Sequence, residues 1–188
     1  MAASLLTCLT IGGIQTYKGS KSASVCFING NPAIVNFPAM QVAFEPAHFS
    51  DPEASRVNIV WRPTQEVEEM LKNLDTWVLT QAKEHSVQWF GKQRSEESIH
   101  ESYVPVLKSS DRYASTFKAK MNIEPPNQVR VWGDDKQLVE PPTTWLNCIT
   151  APRIEVKSVW FMGTQFGLVL ECTDLRMCRE EATFSCPF

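Results

Sequence analysis

Along most of the chain, apolar and polar residues alternate in short runs, and one long segment breaks that rhythm with a helical period. From about residue 24 to 61 the runs SVCFI, AIVNF, MQVAF and RVNIVW read as strands, separated by Asn-Gly-Asn and by proline-containing loops. Pro32, Pro38 and Pro46 mark turns or edges, because proline has no N–H to give a ladder. Asn29-Gly30 predicts a hairpin turn. In PTQEVEEMLKNLDTWVLTQAKEH the apolar positions Val67, Met70, Leu71, Leu74, Trp77 and Val78 keep the three-four spacing of one buried helix face. Pro63 suits the first turn, Glu66, Glu68 and Glu69 lie near the positive end of the helix dipole, and Lys83 and His85 lie near the other. Ser95, with Glu96 and Glu97 behind it, predicts a second short helix that stops before Pro105.

Beyond residue 113 period two returns. TFKAKMNI puts Phe117, Ala119, Met121 and Ile123 on one face and Thr116, Lys118, Lys120 and Asn122 on the other. In QVRVWG, Val129 and Val131 face inward while Arg130 and Trp132 face outward, and Gly133-Asp134-Asp135 reads as a turn. TTWLNCIT reads as a further strand. RIEVKSVWFM and QFGLVLECTDLRM then form a hairpin about a Gly-containing turn, its tip carrying Trp160, Phe161 and Phe166. Trp160 and Phe161 have opposite parity, so at most one of them faces a given side unless a bulge intervenes. Strands, a helical insertion and more strands indicate an all-β or α+β domain with a small curled sheet.

Length and composition fit one domain: 188 residues, 43% hydrophobic and 21% charged. Residues 1–22 are expected to form an N-terminal arm or edge strand, with no basic start before Lys18 and too short an apolar run to span a bilayer. The net charge is −3, which argues against a wholly nucleic-acid-binding surface and leaves room for a local basic stripe. The six cysteines contain no Cys-x-x-Cys pair and the three histidines do not cluster with them, so no structural metal is expected. Reduced thiols place the chain inside the cell, where the nucleus or a viral replication site would qualify. There is no Gly-rich phosphate loop, nucleophile elbow or Cys–His context, so no catalytic residue, cofactor or enzymatic activity is expected. Asp134-Asp135 reads as turn residues, and Cys172 and Cys178 as inert strand cysteines.

What remains is aromatic and basic residues interleaved: FKAK with VWGDDK, then Trp89-Phe90-Gly91-Lys92-Gln93-Arg94, then the late hairpin with Lys157. Single strands are held by such sets, since bases stack on rings while lysine and arginine meet phosphates. Trp77, on the apolar helix stripe, reads as core, and an outward Lys-x-Lys on a strand is ordinarily a solvated edge. Outward parity nevertheless puts Lys118, Lys120, Arg130 and Trp132 on one face of adjacent strands, with Phe161 and Phe166 brought near a common end.

The order of these features resembles the OB-fold single-stranded-DNA-binding proteins of short-tailed phages and the comparable proteins of large DNA viruses of algae. The resemblance covers roughly residues 40 to 178. Its carriers are the strand ending in VNIVW, the amphipathic helix, the segment from Trp89 to Lys108, then TFKAK, VRVW and the VWF…FGLVL hairpin. It implies a mainly β (α+β) fold: an OB-like five-stranded barrel at 23–178 with a helical insertion at about 63–104 and a tail at 179–188. It also implies non-catalytic coating of single-stranded DNA or RNA in replication, recombination or repair. Lys118 and Lys120 would match the basic strand, Arg130 and Trp132 its neighbour, and Trp160 and Phe161 the late hairpin. The chain ends in Pro-Phe after acidic residues, so Phe188 would dock replication proteins; a homodimer is left open. The rival reading is a β-barrel protein-interaction or structural subunit. The two differ in charge, since a nucleic-acid face concentrates Lys and Arg on the side bearing Trp132, whereas a protein interface depletes lysine.

Overall fold

The computed structural model describes residues 6–47 and 54–178; the expectation for Phe188 and the tail lies outside the described residues. In chain order the strands and helices are β1 (Leu9–Tyr17), β2 (Ser20–Phe27), β3 (Ile34–Asn36), β4 (Met40–Ala47) and β5 (Arg56–Arg62), then α1 (Gln65–Glu84), α2 (Ser86–Phe90) and α3 (Glu96–Ser102), followed by β6 (Tyr103–Val104), β7 (Leu107–Lys108), β8 (Thr116–Asn122), β9 (Arg130–Trp132), β10 (Ile149–Met162) and β11 (Gln165–Cys178). Strands β4, β5, β8, β11 and β10 pair in that order, and β10 returns to β4, which closes a ring of five. The β1–β2 hairpin continues the sheet outward from β10, with β1 at the edge.

Period two fills the barrel. Val57, Ile59 and Trp61 of β5 and Phe117, Ala119 and Met121 of β8 are all buried, as are Ile154, Val156, Leu170, Cys172 and Leu175 of the long hairpin. Phe117 stacks between Phe37 and Trp61, with ring centroids 5.7 and 5.3 Å away. The indole N–H of Trp61 donates to the hydroxyl of buried Thr150 at 2.9 Å, so its polar atom is satisfied inside the core. Burial pushes the Cys172 thiol well up, which keeps it an inert thiol.

The helical insertion starts where capping chemistry allows. Thr64 accepts from the Val67 amide and Ser95 from the Ser98 amide. Val67, Leu71, Leu74, Val78 and Ala82 of α1 are buried in the same core as the barrel, and Met70 and Trp77 pack partly against it. Asp75 ties α1 to the barrel: its carboxylate accepts from the Tyr103 hydroxyl at 2.5 Å and the Val106 amide at 3.0 Å. Burial raises the Asp75 pKa above its ordinary value despite these bonds. Tyr103 in turn pairs β6 with β11 at Phe166, their rings 5.2 Å apart, so the helical layer fixes the tip of the long hairpin.

Four details depart from the sequence expectation. Asn29-Gly30 does turn the chain, but after one bridge between Cys26 and Pro32 the run Ile34–Asn36 leaves for β10, because Pro32 cannot continue the ladder. TTWLNCIT is a turn until Ile149. The Glu45 carboxylate takes the amides of Trp145 and Leu146 at 3.0 and 2.8 Å, and Asn147 adopts a positive φ of 65°. Phe166 is wholly buried core. Finally, β8 and β9 are not side by side. Both run parallel to β11 along the same edge, Lys120 opposite Glu171 and Trp132 opposite Arg176, so they form one line end to end.

Candidate nucleic-acid interface

That line organises the outer surface of the barrel. On the outward side lie Arg56 of β5, Lys118 and Lys120 of β8, Arg130 of β9, Arg153 and Lys157 of β10, and Arg176 of β11, all seven exposed. The carboxylates among them are Glu155, Glu171 and Asp174, on a chain whose overall charge is −3. Three lysines and four arginines thus share one outer face with three carboxylates.

Two buried carboxylates set the cations in place. Glu171 accepts from Arg56, from Lys157 at 2.8 Å and from the Asn122 amide at 3.1 Å. Lys157 reaches it because it is the extra residue of a bulge, where Val156 to Ser158 on β10 spans only Leu170 to Val169 on β11. Asp174 accepts from Arg130 Nε at 2.7 Å, from the Trp132 indole N–H at 3.0 Å and from the Thr173 hydroxyl at 3.0 Å; Arg153 lies 3.7 Å away. Burial works against ionising Asp174, yet the hydrogen bonds from Arg130, Trp132 and Thr173 outweigh it and hold the carboxyl below its ordinary value of 3.8. Lys120 is pushed the other way. Burial, then the nearby charge of Arg56, lowers its pKa, with Lys118 and Lys157 adding to the effect and Glu171 opposing it. A crowded cation of this kind gains when a polyanion arrives.

The depressed Asp174 fixes a sign. Its contribution to stability is fully present above the unfolded carboxyl value and is lost as pH falls through the folded one. Wild-type protein is therefore expected to melt at progressively lower temperature below about pH 4, and Asp174→Asn to show a shallower decline. A melting-temperature difference between the two that stays constant from neutral to acid pH would contradict the assignment.

Tryptophans stand at both ends of the stripe. Trp132 is half-buried, its edge held by Asp174 and the Arg130 guanidinium 5.7 Å from its ring centre. Trp160 lies opposite Gly167 on the same outward side as Glu171. A β-carbon on Gly167 would come 3.1 Å from the Trp160 ring and 2.9 Å from the Val104 carbonyl oxygen, so glycine is what lets the indole lie over β11. Nine residue steps of β11 separate these two positions, about 30 Å at 3.3 Å per step. Phe161 has the opposite side: its ring meets Trp89 edge-on at 5.3 Å, and Lys21 sits over it while donating to the Trp89 carbonyl.

Of the residues singled out in the sequence, the fold thus brings together Lys118, Lys120, Arg130, Trp132, Lys157 and Trp160. Phe161 joins the Trp89–Phe90–Phe166 cluster beneath α2. Lys92 and Arg94 sit in the connection between α2 and α3, where the Arg94 guanidinium covers Phe90 at 4.1 Å and bonds Ser102 at 3.2 Å. Sequence reasoning missed Arg56, Arg153 and Arg176 as members of the face, and Phe44 altogether. Phe44 is 57% exposed and stands beside Val60, which pairs with Lys118. Next to Trp132 the surface opens into a cleft of about 590 Å³, lined by Asn36, Phe37, Pro152, Lys136, Arg153 and Arg176 among others.

A family model described as a family of unknown function, DUF5871, matches residues 50–187. No curated protein matches the sequence. Among solved structures, the single-stranded DNA-binding protein of bacteriophage Enc34, in complex with single-stranded DNA, is similar with a TM-score of 0.53 and 11% identity, over 93% of this chain and 98% of that one. The single-stranded DNA-binding protein gp2.5 of bacteriophage T7 is similar with a TM-score of 0.52 and 11% identity, over 77% of this chain and 85% of that one. The fold is therefore that of the phage proteins which the order of sequence features resembles; at this identity the likeness carries the fold alone.

Proposed function

We propose that this chain, which belongs to the family of unknown function DUF5871, binds single-stranded DNA (or RNA) without catalysis and with little base preference. One observation carries the reading: seven exposed cations gather on one outer face of an acidic chain, with an indole at each end. Phosphates would follow Arg56, Lys118, Lys120, Lys157, Arg130 and Arg153, and bases would stack on Trp132 and Trp160, with Phe44 extending the surface across Val60. Cations occupy the roughly 30 Å between the two indoles, which suits a flexible single strand whose bases turn to rings while its phosphates follow the cations. The shared fold with two phage single-stranded DNA-binding proteins supports the same choice. The role that follows is coating of unpaired strands during replication, recombination or repair.

The test is a fluorescence-anisotropy titration of a single-stranded oligonucleotide and its duplex at low and moderate salt. Each phosphate neutralised on a single strand contributes about −0.7 to the slope of log affinity against log salt. The single strand should bind more tightly than the duplex and lose affinity as salt rises. Replacing Lys118 and Lys120 together by glutamine should make the slope shallower by about 1.4 and leave base preference unchanged. Affinity indifferent to salt would favour the protein-interaction reading instead.

A further inference from the structure

The cleft beside Trp132 is the place where the basic line stops. After Trp132 the chain turns back on itself: the Gly133 amide donates to the Gln137 carbonyl at 2.8 Å and Trp132 bridges Leu138. This turn follows the end of β9, its return segment pairs beside β9, and its Lys136 lines the cleft from a positive φ of 63°. The floor is apolar, made by Phe37, Ala151 and Pro152, and the rim carries Arg130, Lys136, Arg153 and Arg176 around a single carboxylate, Asp174. Asp174 is already engaged by Arg130, Trp132 and Thr173. Among the described residues neither Arg176 nor Lys136 has a carboxylate partner within ion-pair distance. The volume, about 590 Å³, falls in the range of clefts that take a small ligand.

Resting on the proposed single-strand binding, we infer that this cleft is an end site: it takes the terminal nucleotide of a strand that carries a phosphomonoester. The terminal base lies against Trp132 and the apolar floor, and the phosphate meets Arg176 and Lys136. An internal phosphodiester carries one negative charge, whereas a terminal monoester carries about −1.5 to −2 near neutral pH, the better match for two cations that have no carboxylate partner among the described residues. Arginine also suits phosphate geometrically, because its planar fork donates two parallel hydrogen bonds. The basic line ends where β9 turns back, which favours a terminus over a strand passing through.

The experiment compares short oligothymidylates that differ only in a terminal phosphate or hydroxyl, at the 5′ end with the label on the 3′ end and the reverse. Wild-type protein should bind one of the two phosphorylated strands about tenfold more tightly than its hydroxyl counterpart. The Arg176→Gln/Lys136→Gln double variant should bring that ratio to one, whereas Lys118→Gln/Lys120→Gln should weaken both strands and keep the ratio. Equal affinity for phosphate and hydroxyl at both ends would overturn the end site while leaving single-strand binding intact. A gain that survives Arg176→Gln/Lys136→Gln would overturn it too, since the phosphate would then sit elsewhere. Thymidine monophosphate titrated alone provides the last arm: binding as tight as that of the phosphorylated strand would make this a free-nucleotide pocket and sink the end assignment. Failure to bind any strand or nucleotide would remove both the function and the site.

Discussion

Leu74→Ala is expected to lower unfolding free energy by about 2–5 kcal/mol while leaving the affinity of the folded protein for a single strand unchanged. Leu74 is 5% exposed, and its neighbours on the stripe, Leu71 and Val78, are wholly buried. Truncation removes three carbons from a layer whose rigid neighbours relax only in part, so a cavity adds to the lost transfer energy. The helix serves the interface at a distance. Asp75 anchors Tyr103, Tyr103 pairs with Phe166, and the hairpin tip so fixed carries Trp160. Urea denaturation checks the first half of the expectation, and titration at concentrations where the variant is fully folded checks the second. Wild-type stability would mean that the stripe faces solvent. Weakened binding by fully folded protein would place α1 in the interface.

Trp132→Ala should weaken single-strand binding by about 1–3 kcal/mol, a factor of roughly 5 to 150. The indole is held edge-on by Asp174, which fixes its plane before any base arrives, so little ordering is left to oppose stacking. Trp132→Phe separates the two properties of the side chain: it keeps a ring and loses the N–H bond, and should retain most of the affinity. Equal affinity of Trp132→Ala and wild type would show that bases stack elsewhere. Unfolding of the variant, with binding that tracks the folded fraction, would make Trp132 a core residue.

The parts of the molecule that were legible beforehand are those governed by local period. The α1 stripe, the alternation in β8 and the N-cap Ser95 depend on neighbours three or four residues away at most, and the long hairpin announces itself through its Gly-containing turn. Pro63, read as part of the first turn, lies instead just before the N-cap Thr64. Ser95 was visible as a cap because its hydroxyl acts on an amide three residues on. The resemblance then supplied the closure of the barrel, which local period alone leaves open between all-β and α+β. What stayed hidden depends on bulges and on long-range register. Strict alternation in MQVAF would put Val42 and Phe44 on one side. An extra residue in β4, where Val42 to Phe44 spans only Trp61 to Val60, turns Phe44 outward instead. The same device re-aims Lys157. Arg56 and Glu171 are 115 positions apart in the chain, and no local pattern announces their pairing. Phe161 misled for a related reason: the aromatic pair at the hairpin tip looks symmetrical in sequence, and only the packing of α2 decides that Phe161 joins the Trp89 cluster while Trp160 lies over Gly167.

The most direct check of the central claim is where a bound strand lies. An oligonucleotide carrying photoreactive bromodeoxyuridine, cross-linked in the complex and mapped by peptide mass spectrometry, answers that without relying on any substitution. Adducts at Trp132 and Trp160, with Phe44 as a weaker third, are the expected result, and duplex competitor should not suppress them. Adducts confined to the helical insertion, or to exposed aromatics off the stripe such as Tyr17 and Tyr113, would contradict it.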